Sequence, residues 1–299
     1  MEITFLGTGS TVPTKERNVS AQFLSYKDEG ILIDCGEGTQ RQMNLAGINR
    51  NKVTKVLITH WHGDHTSGLV GLIQTVGNAV KGQRLMVFGP PGTKHHMEHL
   101  LKSAVFEVKL DIDIREVDPQ NVETIYETSD YKILAAPMEH SVPCIAYRFV
   151  EKDTWTIDPK KAEEKGLKSG PQINELKEKG MLVVKGKNIS IDEVAKKKHG
   201  KNVAFIFDTA LCQSCYDIAK DADVLVCEAT HLMEHEEKAI QYQHLTTKHA
   251  AVIASTANVK KLIATHFSQR YKTTEKLEEE LTGLFPNTVV AQDFMKLKL

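Results

Sequence analysis

Cysteine, tryptophan and long apolar runs are all scarce in this 299-residue chain. Its five cysteines are odd in number and irregularly spaced, which excludes a disulfide framework and fits a reducing compartment. No uninterrupted apolar segment approaches the roughly 20 residues that a bilayer-spanning helix requires. The opening MEITFLGTGS lacks the basic and long apolar regions of a signal peptide, so a cytoplasmic protein is expected. Neither sign of charge dominates: 38 Lys and Arg stand against 39 Asp and Glu. A polyanionic partner must therefore be met by a local patch, not by the field of the whole molecule. Internal repeats and low-complexity tracts are also missing. What remains, 41% hydrophobic and 26% charged, is the composition of a globular protein with one large domain or two ordinary ones.

Short apolar runs recur instead, among them EITFLG, AQFLSY, ILIDCG, KVLITH, RLMVFGP, YKILAAPMEH, IAYRFV, NVAFIFDT, DVLVCEAT, KKLIATH and TVVAQDFMKL. Each is of strand length, rich in β-formers and bounded by turn residues. Stretches of helical period lie between some of them: TKHHMEHLLKSAV, LCQSCYDIAKD, TTKHAAVIASTANV and TTEKLEEELTGLF. The pattern predicts a mixed α/β fold, with antiparallel pairing early and βα alternation later. The stretch HTSGLVGLIQTVGNAV reads as a core helix, with a dimer interface as the sharper alternative.

Residues 151–201 break the rhythm. Lysines outnumber Asp and Glu there by four, thirteen to nine, while the rest of the chain is acidic by five. Little in the segment promises a core, and it reads as a solvated, flexible arm with MLVVKGKNISI as a short hairpin. The remainder of 1–299 reads as a single catalytic domain into which this arm is inserted.

Potential metal ligands gather at the ends of strands. KVLIT leads to His60, ILAAPME to His140, VAFIF to Asp208 and KLIAT to His266. Strand ends in a layered α/β fold share an edge, so residues distant in sequence can meet there. His60, His62, Asp64 and His65 add a dense local cluster. Period two places His60 and His62 on one side, and Asp64 and His65 turn toward a second position. His140 joins the first pair, His266 the second, and the two oxygens of Asp208 suit a bridge. A nitrogen and oxygen donor set without thiolates favours two catalytic Zn²⁺ ions, with Mn²⁺ or Fe²⁺ also possible.

THWHGDH matches the HxHxDH signature of the metallo-β-lactamase superfamily. The chain as a whole resembles ribonuclease Z, which trims the 3′ end of precursor tRNA. FLGTGSTVPTKERN carries that family's PxKxRN element as Pro13, Lys15, Arg17 and Asn18. CEATH at 227–231 is similar to its HEAT motif, with Cys227 in place of a frequent histidine. HLT at 244–246 is similar to its HST motif, with Leu245 in place of a small residue. GLKSGPQINELKEKG, with Gly170 and Pro171, resembles its flexible arm.

The resemblance implies an αββα sandwich with a protruding basic arm. It also implies a homodimer acting on precursor tRNA, with cleavage after the discriminator base and hindrance by an existing CCA. Asp64 becomes both a ligand and the acceptor of a water proton. His244, oriented by Glu228, becomes the general acid for the departing ribose oxygen. Lys15, Arg17 and the arm, with Gly170 and Pro171, become RNA contacts. A small-molecule phosphodiesterase of the same fold is the alternative.

Three further motifs read blandly. GTGSTV lacks the third glycine of a dinucleotide loop and reads as a turn. CQSC at 212–215 has no partner pair and reads as structural. His95, His96 and His99 read as a solvated helix face, and His249 as helical surface.

Overall fold

In the computed structural model, which describes residues 1–79 and 82–299, two seven-stranded sheets carry the fold. The first comprises β1 (Glu2–Gly7), β2 (Ala21–Tyr26), β3 (Glu29–Ile33), β4 (Val53–Leu57), β5 (Arg84–Gly89) and β6 (Asp111–Glu116) in that order, with a C-terminal strand, Lys296–Lys298, beside β1. Pairing is antiparallel from the C-terminal strand through β3 and parallel from β3 to β6. The second sheet holds β7 (Glu123–Glu127), β8 (Tyr131–Met138) and β9 (Cys144–Glu151), followed by strands Asn202–Ile206, Val224–Glu228, Leu262–Thr265 and Thr288–Val290. These last four run parallel, as the βα alternation of the sequence predicts.

Each sheet has its own helix-covered core. Met43, Leu69, Leu72, Ile73, Val76 and Met97 cover the first sheet, and Ile218, Ile253, Leu277 and Leu281 cover the second. Alternate strand residues point the other way: Ile3 and Phe5 are fully buried yet lie outside the helix-covered cluster that contains Leu6. The inner faces meet each other. Tyr26 and Phe149 have ring centroids 5.1 Å apart, and the Tyr147 hydroxyl donates to the Ile58 carbonyl at 2.7 Å. This layering is the expected αββα sandwich. The helix Leu69–Ala79 is core, with Leu69, Leu72, Ile73 and Val76 buried; Val80, the last residue of that apolar stretch, lies outside the described residues.

Two strands were not legible as apolar runs. DIDIRE (β6) and ETIYE (β7) are edge strands, half-exposed and therefore polar. The single run TVVAQDFMKL divides between the sheets. Asp293, midway between its two strands, accepts from Thr8 N, Thr8 Oγ1, Asn18 N and Gln42 Nε2 at 2.8–3.0 Å.

The inserted segment forms a unit of its own, Val150–Lys201 with Thr128–Lys132. It corrects the reading of a segment with little to form a core. Ala162, Leu167, Leu176, Val184, Ile189, Ile191 and Val194 are buried together, with Trp155 and Ile173 packed against them. Its apolar residues escaped notice because lysines separate them. Strands Thr154–Ile157 and Ala195–Lys198 pair antiparallel, and Met181–Val184 with Lys187–Ser190 form the expected hairpin. Lys185 and Gly186 both have positive φ, the two-residue turn that suits a twisted hairpin. Gly170 and Pro171 start the helix Pro171–Lys179, with Pro171 in its first turn.

Close backbone approach fixes two glycines near the HWHGDH loop. A Cβ on Gly68 would collide with the carbonyl oxygen of Gly36, and a Cβ on Gly36 with that of Asp64. Neither obstacle is a flexible side chain. Gly68→Ala is therefore expected to destabilise the protein by about 1–3 kcal/mol, read as a lower urea midpoint at unchanged m-value.

Candidate metal centre

Strand ends build the site. Asp34 directly follows β3, Asp208 lies two residues beyond Asn202–Ile206, and His266 directly follows Leu262–Thr265. All three have positive φ (57°, 33° and 60°), so the chain turns sharply where each side chain is presented. Such left-handed non-glycine residues persist only where their surroundings hold them, and they cluster at functional sites. Parallel neighbours then set Asp208, Glu228 and His266 side by side at the carboxyl ends of three strands.

The donor atoms fall into two groups that share one carboxylate. His60, His62, His140 and Asp208 each offer an atom within 4.8 Å of the others, and so do Asp64, His65 and His266. His62 Nδ1 lies 3.1 Å from His60 Nε2 and 3.3 Å from His140 Nε2. His65 Nε2 and His266 Nε2 are 3.2 Å apart. Asp208 divides its oxygens between the groups. Oδ2 is 3.6 Å from His60 Nε2 and 4.0 Å from His140 Nε2, whereas Oδ1 is 3.4 Å from His65 Nε2 and 3.2 Å from His266 Nε2.

The arrangement fits divalent cations on three counts. Asp208 Oδ1 is buried with no hydrogen-bond partner, an arrangement that costs free energy unless a cation meets it. Several imidazole nitrogens converge on the same small space, and the donor set is nitrogen and oxygen throughout. Around Asp208 and Asp34 the field also favours positive charge. Burial opposes protonation of His65, yet Asp208 and Asp34 outweigh it and hold that imidazole well above its ordinary range. Burial likewise works against ionised Asp208, but His266, His65 and His244 drive its pKa well below the usual carboxylate value.

A second layer fixes which ring nitrogen four of the histidines present. Asp34 Oδ2 meets His65 Nδ1 at 2.7 Å while also accepting from the Thr59 hydroxyl at 2.9 Å. Thr59 Oγ1 lies 3.1 Å from His60 Nδ1, Thr230 Oγ1 3.1 Å from His266 Nδ1, and the Gln243 carbonyl 3.2 Å from His140 Nδ1. Sequence reasoning missed these groups. For Asp34 the signal was present, since ILID is another apolar strand ending in a carboxylate; Thr59, Thr230 and Gln243 carried none.

Glu228 and His244 stand beside the cluster. Glu228, fully buried, accepts from Thr209 N at 2.8 Å and from the Thr230 hydroxyl at 2.5 Å, and meets His244 Nδ1 at 3.1 Å. His244 Nδ1 is also 3.9 Å from Asp208 Oδ2. Burial disfavours the His244 cation, but Glu228 and Asp208 more than compensate and push its pKa up to about 9. His244 could alternatively donate to a cation, since Asp208, His244 and His266 form a third compact group. Leu245 and Cys227, the two departures from the family motifs, are both fully buried in the second sheet's core.

Placement of the remaining residues is uneven. Lys15 is exposed. Arg17 is buried, and its guanidinium donates to the carbonyls of Tyr271 and Ser268. In this conformation it holds that loop. Asn18 also fixes loops, donating to the Glu37 carbonyl at 2.8 Å. The GTGST turn reaches the centre itself: Thr11 N donates to Asp64 Oδ2 at 2.7 Å. His249 caps a helix, closing a box with Thr246, which corrects its reading as plain surface. His95, His96 and His99 lie exposed on Thr93–Lys102, as expected. A cavity of about 660 Å³ opens over the cluster, lined by Thr11, His62, Asp64, His140, Asp208 and His244 among others.

Fold and centre together define a metallo-β-lactamase-fold protein. Human tRNase Z, short form, superposes with a TM-score of 0.74 at 24% identity, covering 100% of this chain and 99% of that one. The metallo-β-lactamase-fold protein YhfI of Bacillus subtilis gives a TM-score of 0.70 at 16% identity, covering 99% and 98%. A family model described as Anti-Pycsar protein Apyc1 matches residues 1–150. Ribonuclease Z of Methanothermobacter thermautotrophicus is 41% identical over 100% of this chain and 97% of its own length. The Crocosphaera subtropica enzyme of that name is 37% identical over 99% and 97%. The chain belongs to the ribonuclease Z family. No helix among the described residues is long and apolar enough to cross a membrane.

Proposed function

We propose that this chain is a metal-dependent endoribonuclease that removes the 3′ trailer of precursor tRNA, leaving a 3′-hydroxyl on the tRNA and a 5′-phosphate on the trailer. One observation carries the reading: His244, paired with the buried carboxylate of Glu228, lines the cavity over a shared two-group donor cluster. Two Zn²⁺ ions, one with His60, His62 and His140, the other with Asp64, His65 and His266, and both with Asp208, fit the donor chemistry. When bound, such ions acidify water and offset charge on phosphoryl oxygens.

The chain's own groups do the rest. Asp64, oriented by Thr11 N, accepts the proton of the attacking water. His244 protonates the ribose 3′-oxygen as the phosphorus–oxygen bond breaks, and Glu228 stabilises its cation beforehand. The 2′-hydroxyl takes no part, since water is the nucleophile.

Lys15 and the lysine-rich unit, with Gly170 and Pro171 starting one of its helices, supply contacts to the RNA backbone. In a homodimer the unit of one subunit can hold RNA cut by the other. Deleting residues 155–198 tests this assignment. The ladder bond from Glu151 N to the Lys201 carbonyl (2.9 Å) lies outside the deletion and closes the stub. Precursor tRNA cleavage is expected to fall by about a hundredfold at moderate salt, because several lysine–phosphate contacts are lost. Hydrolysis of bis(p-nitrophenyl) phosphate should change little. Equal loss of both activities would count against an RNA-holding unit, and so would loss of neither.

A further inference from the structure

The CQSC motif at 212–215 is the chemically equipped group that the metal centre leaves unused. Its sequence context reads as a structural pair, and its geometry also suits exchange. Cys212 Sγ and Cys215 Sγ lie 3.6 Å apart, and both are free thiols. Their surroundings differ sharply. Cys212 is partly exposed at the start of the helix Gln213–Ala219, whereas Cys215 is fully buried in the second sheet's core, 3.9 Å from Met138 Sδ. One cysteine is therefore partly accessible, and the other is sheltered beside it.

We propose that Cys212 and Cys215 form a thiol–disulfide exchange site, with Cys212 as the attacking sulfur, Cys215 as the resolving one, and a low-molecular-weight disulfide as oxidant. The chemistry balances without any group the protein lacks. Cys212, as thiolate, attacks one sulfur of RS–SR; that bond breaks, RS⁻ departs, and a mixed disulfide forms on Cys212. Cys215 then loses its proton and attacks Cys212 Sγ, expelling the second RS⁻. Two protein thiols are oxidised to one disulfide, the reagent is reduced to two thiols, and the two protons end on them. The environment supports the order of events. The hydrogen bond from Cys215 is the main influence on Cys212, whose pKa falls to about 6, while that of Cys215 rises well above the usual thiol value. The remaining cysteines, Cys35, Cys144 and Cys227, are buried.

The site sits close to the proposed metal ligands along the chain. Thr209 N donates to Glu228 and Ala210 N to the Glu139 carbonyl (2.7 Å), so the segment joining Asp208 to Cys212 is pinned at both peptides. Closing the disulfide needs the two sulfurs to approach from 3.6 Å across a tight CxxC loop.

Glutathione disulfide is the probe for the test. The intact protein is incubated with excess reagent near neutral pH, quenched in acid, alkylated and mapped by mass spectrometry. Wild-type protein is expected to lose two hydrogens at a 212–215 disulfide without a lasting adduct. Cys215→Ser should instead accumulate one glutathione on Cys212, and Cys212→Ser should gain neither adduct nor disulfide. Labelling of Cys212 should exceed that of Cys35, Cys144 and Cys227 by roughly tenfold or more. A wild-type chain that stays fully reduced overturns the proposal without recourse to any variant. So does a lasting wild-type adduct, which would show that Cys215 does not resolve it.

Discussion

Asp64→Ala is expected to cleave precursor tRNA about a thousandfold more slowly than the unaltered chain, or worse, at saturating divalent metal. The carboxylate has two tasks in the proposed mechanism, and both are lost together. Its Oδ2 lies 3.5 Å from His65 Nε2 and 3.7 Å from His266 Nε2, so it completes one donor group. The Thr11 N–H, at 2.7 Å, aims that same oxygen into the cavity where the water must lose its proton. Burial opposes its ionisation, but the nearby imidazoles of His266 and His65 overcome this and hold its pKa below the usual carboxylate range. The sign matters: Asp64 stays ionised as pH falls through the ordinary carboxylate region, so it does not set the acid limit of activity. Single-turnover rates with measured metal content check the prediction. Near-normal cleavage by Asp64→Ala would remove it from the chemistry.

His244→Ala should separate substrates by leaving group. A ribose 3′-oxygen departs as a strongly basic alkoxide unless it is protonated, whereas p-nitrophenolate leaves unaided near neutrality. Loss of a general acid typically costs about 10²–10⁴-fold, so precursor cleavage should fall by that order while bis(p-nitrophenyl) phosphate hydrolysis stays within a few-fold. With a pKa near 9, His244 is protonated at pH 7 and ready to donate, and it loses that proton as pH rises through about 9. The rival role is as a cation ligand beside Asp208 and His266. In that case both substrates would suffer alike and metal content would drop. Retained metal with a leaving-group split supports the acid; lost metal with uniform damage contradicts it.

The centre was unusually legible because its residues end strands. An apolar run that stops at His60, His140, Asp208 or His266 announces a side chain at a sheet edge, and the structure brings the donor atoms within 4.8 Å in each group. The same logic reached Glu228 and His244 only through family motifs, since nothing in CEATH or HLT alone implies a shared hydrogen bond. Thr59 and Thr230 stayed invisible because a threonine that orients an imidazole looks like any other threonine. Arg17 carried a charge that suggested a phosphate contact, whereas its buried position and its bonds to the carbonyls of Ser268 and Tyr271 had no signal in the sequence. In the lysine-rich unit, composition concealed the spacing of Leu167, Leu176, Ile189 and Val194, which only tertiary packing joins into a core.

The proposed function stands or falls on hydrolytic, metal-dependent cleavage at the 3′ side of tRNA. The most direct measurement incubates the protein with a 3′-extended precursor tRNA, with Zn²⁺ or Mn²⁺ or with chelator, and maps both product ends. One cut just after the discriminator base is predicted, with a 3′-hydroxyl on the tRNA, a 5′-phosphate on the trailer and no cleavage in chelator. A 2′,3′-cyclic end, cleavage that persists without metal, or no cleavage with metal present would contradict it.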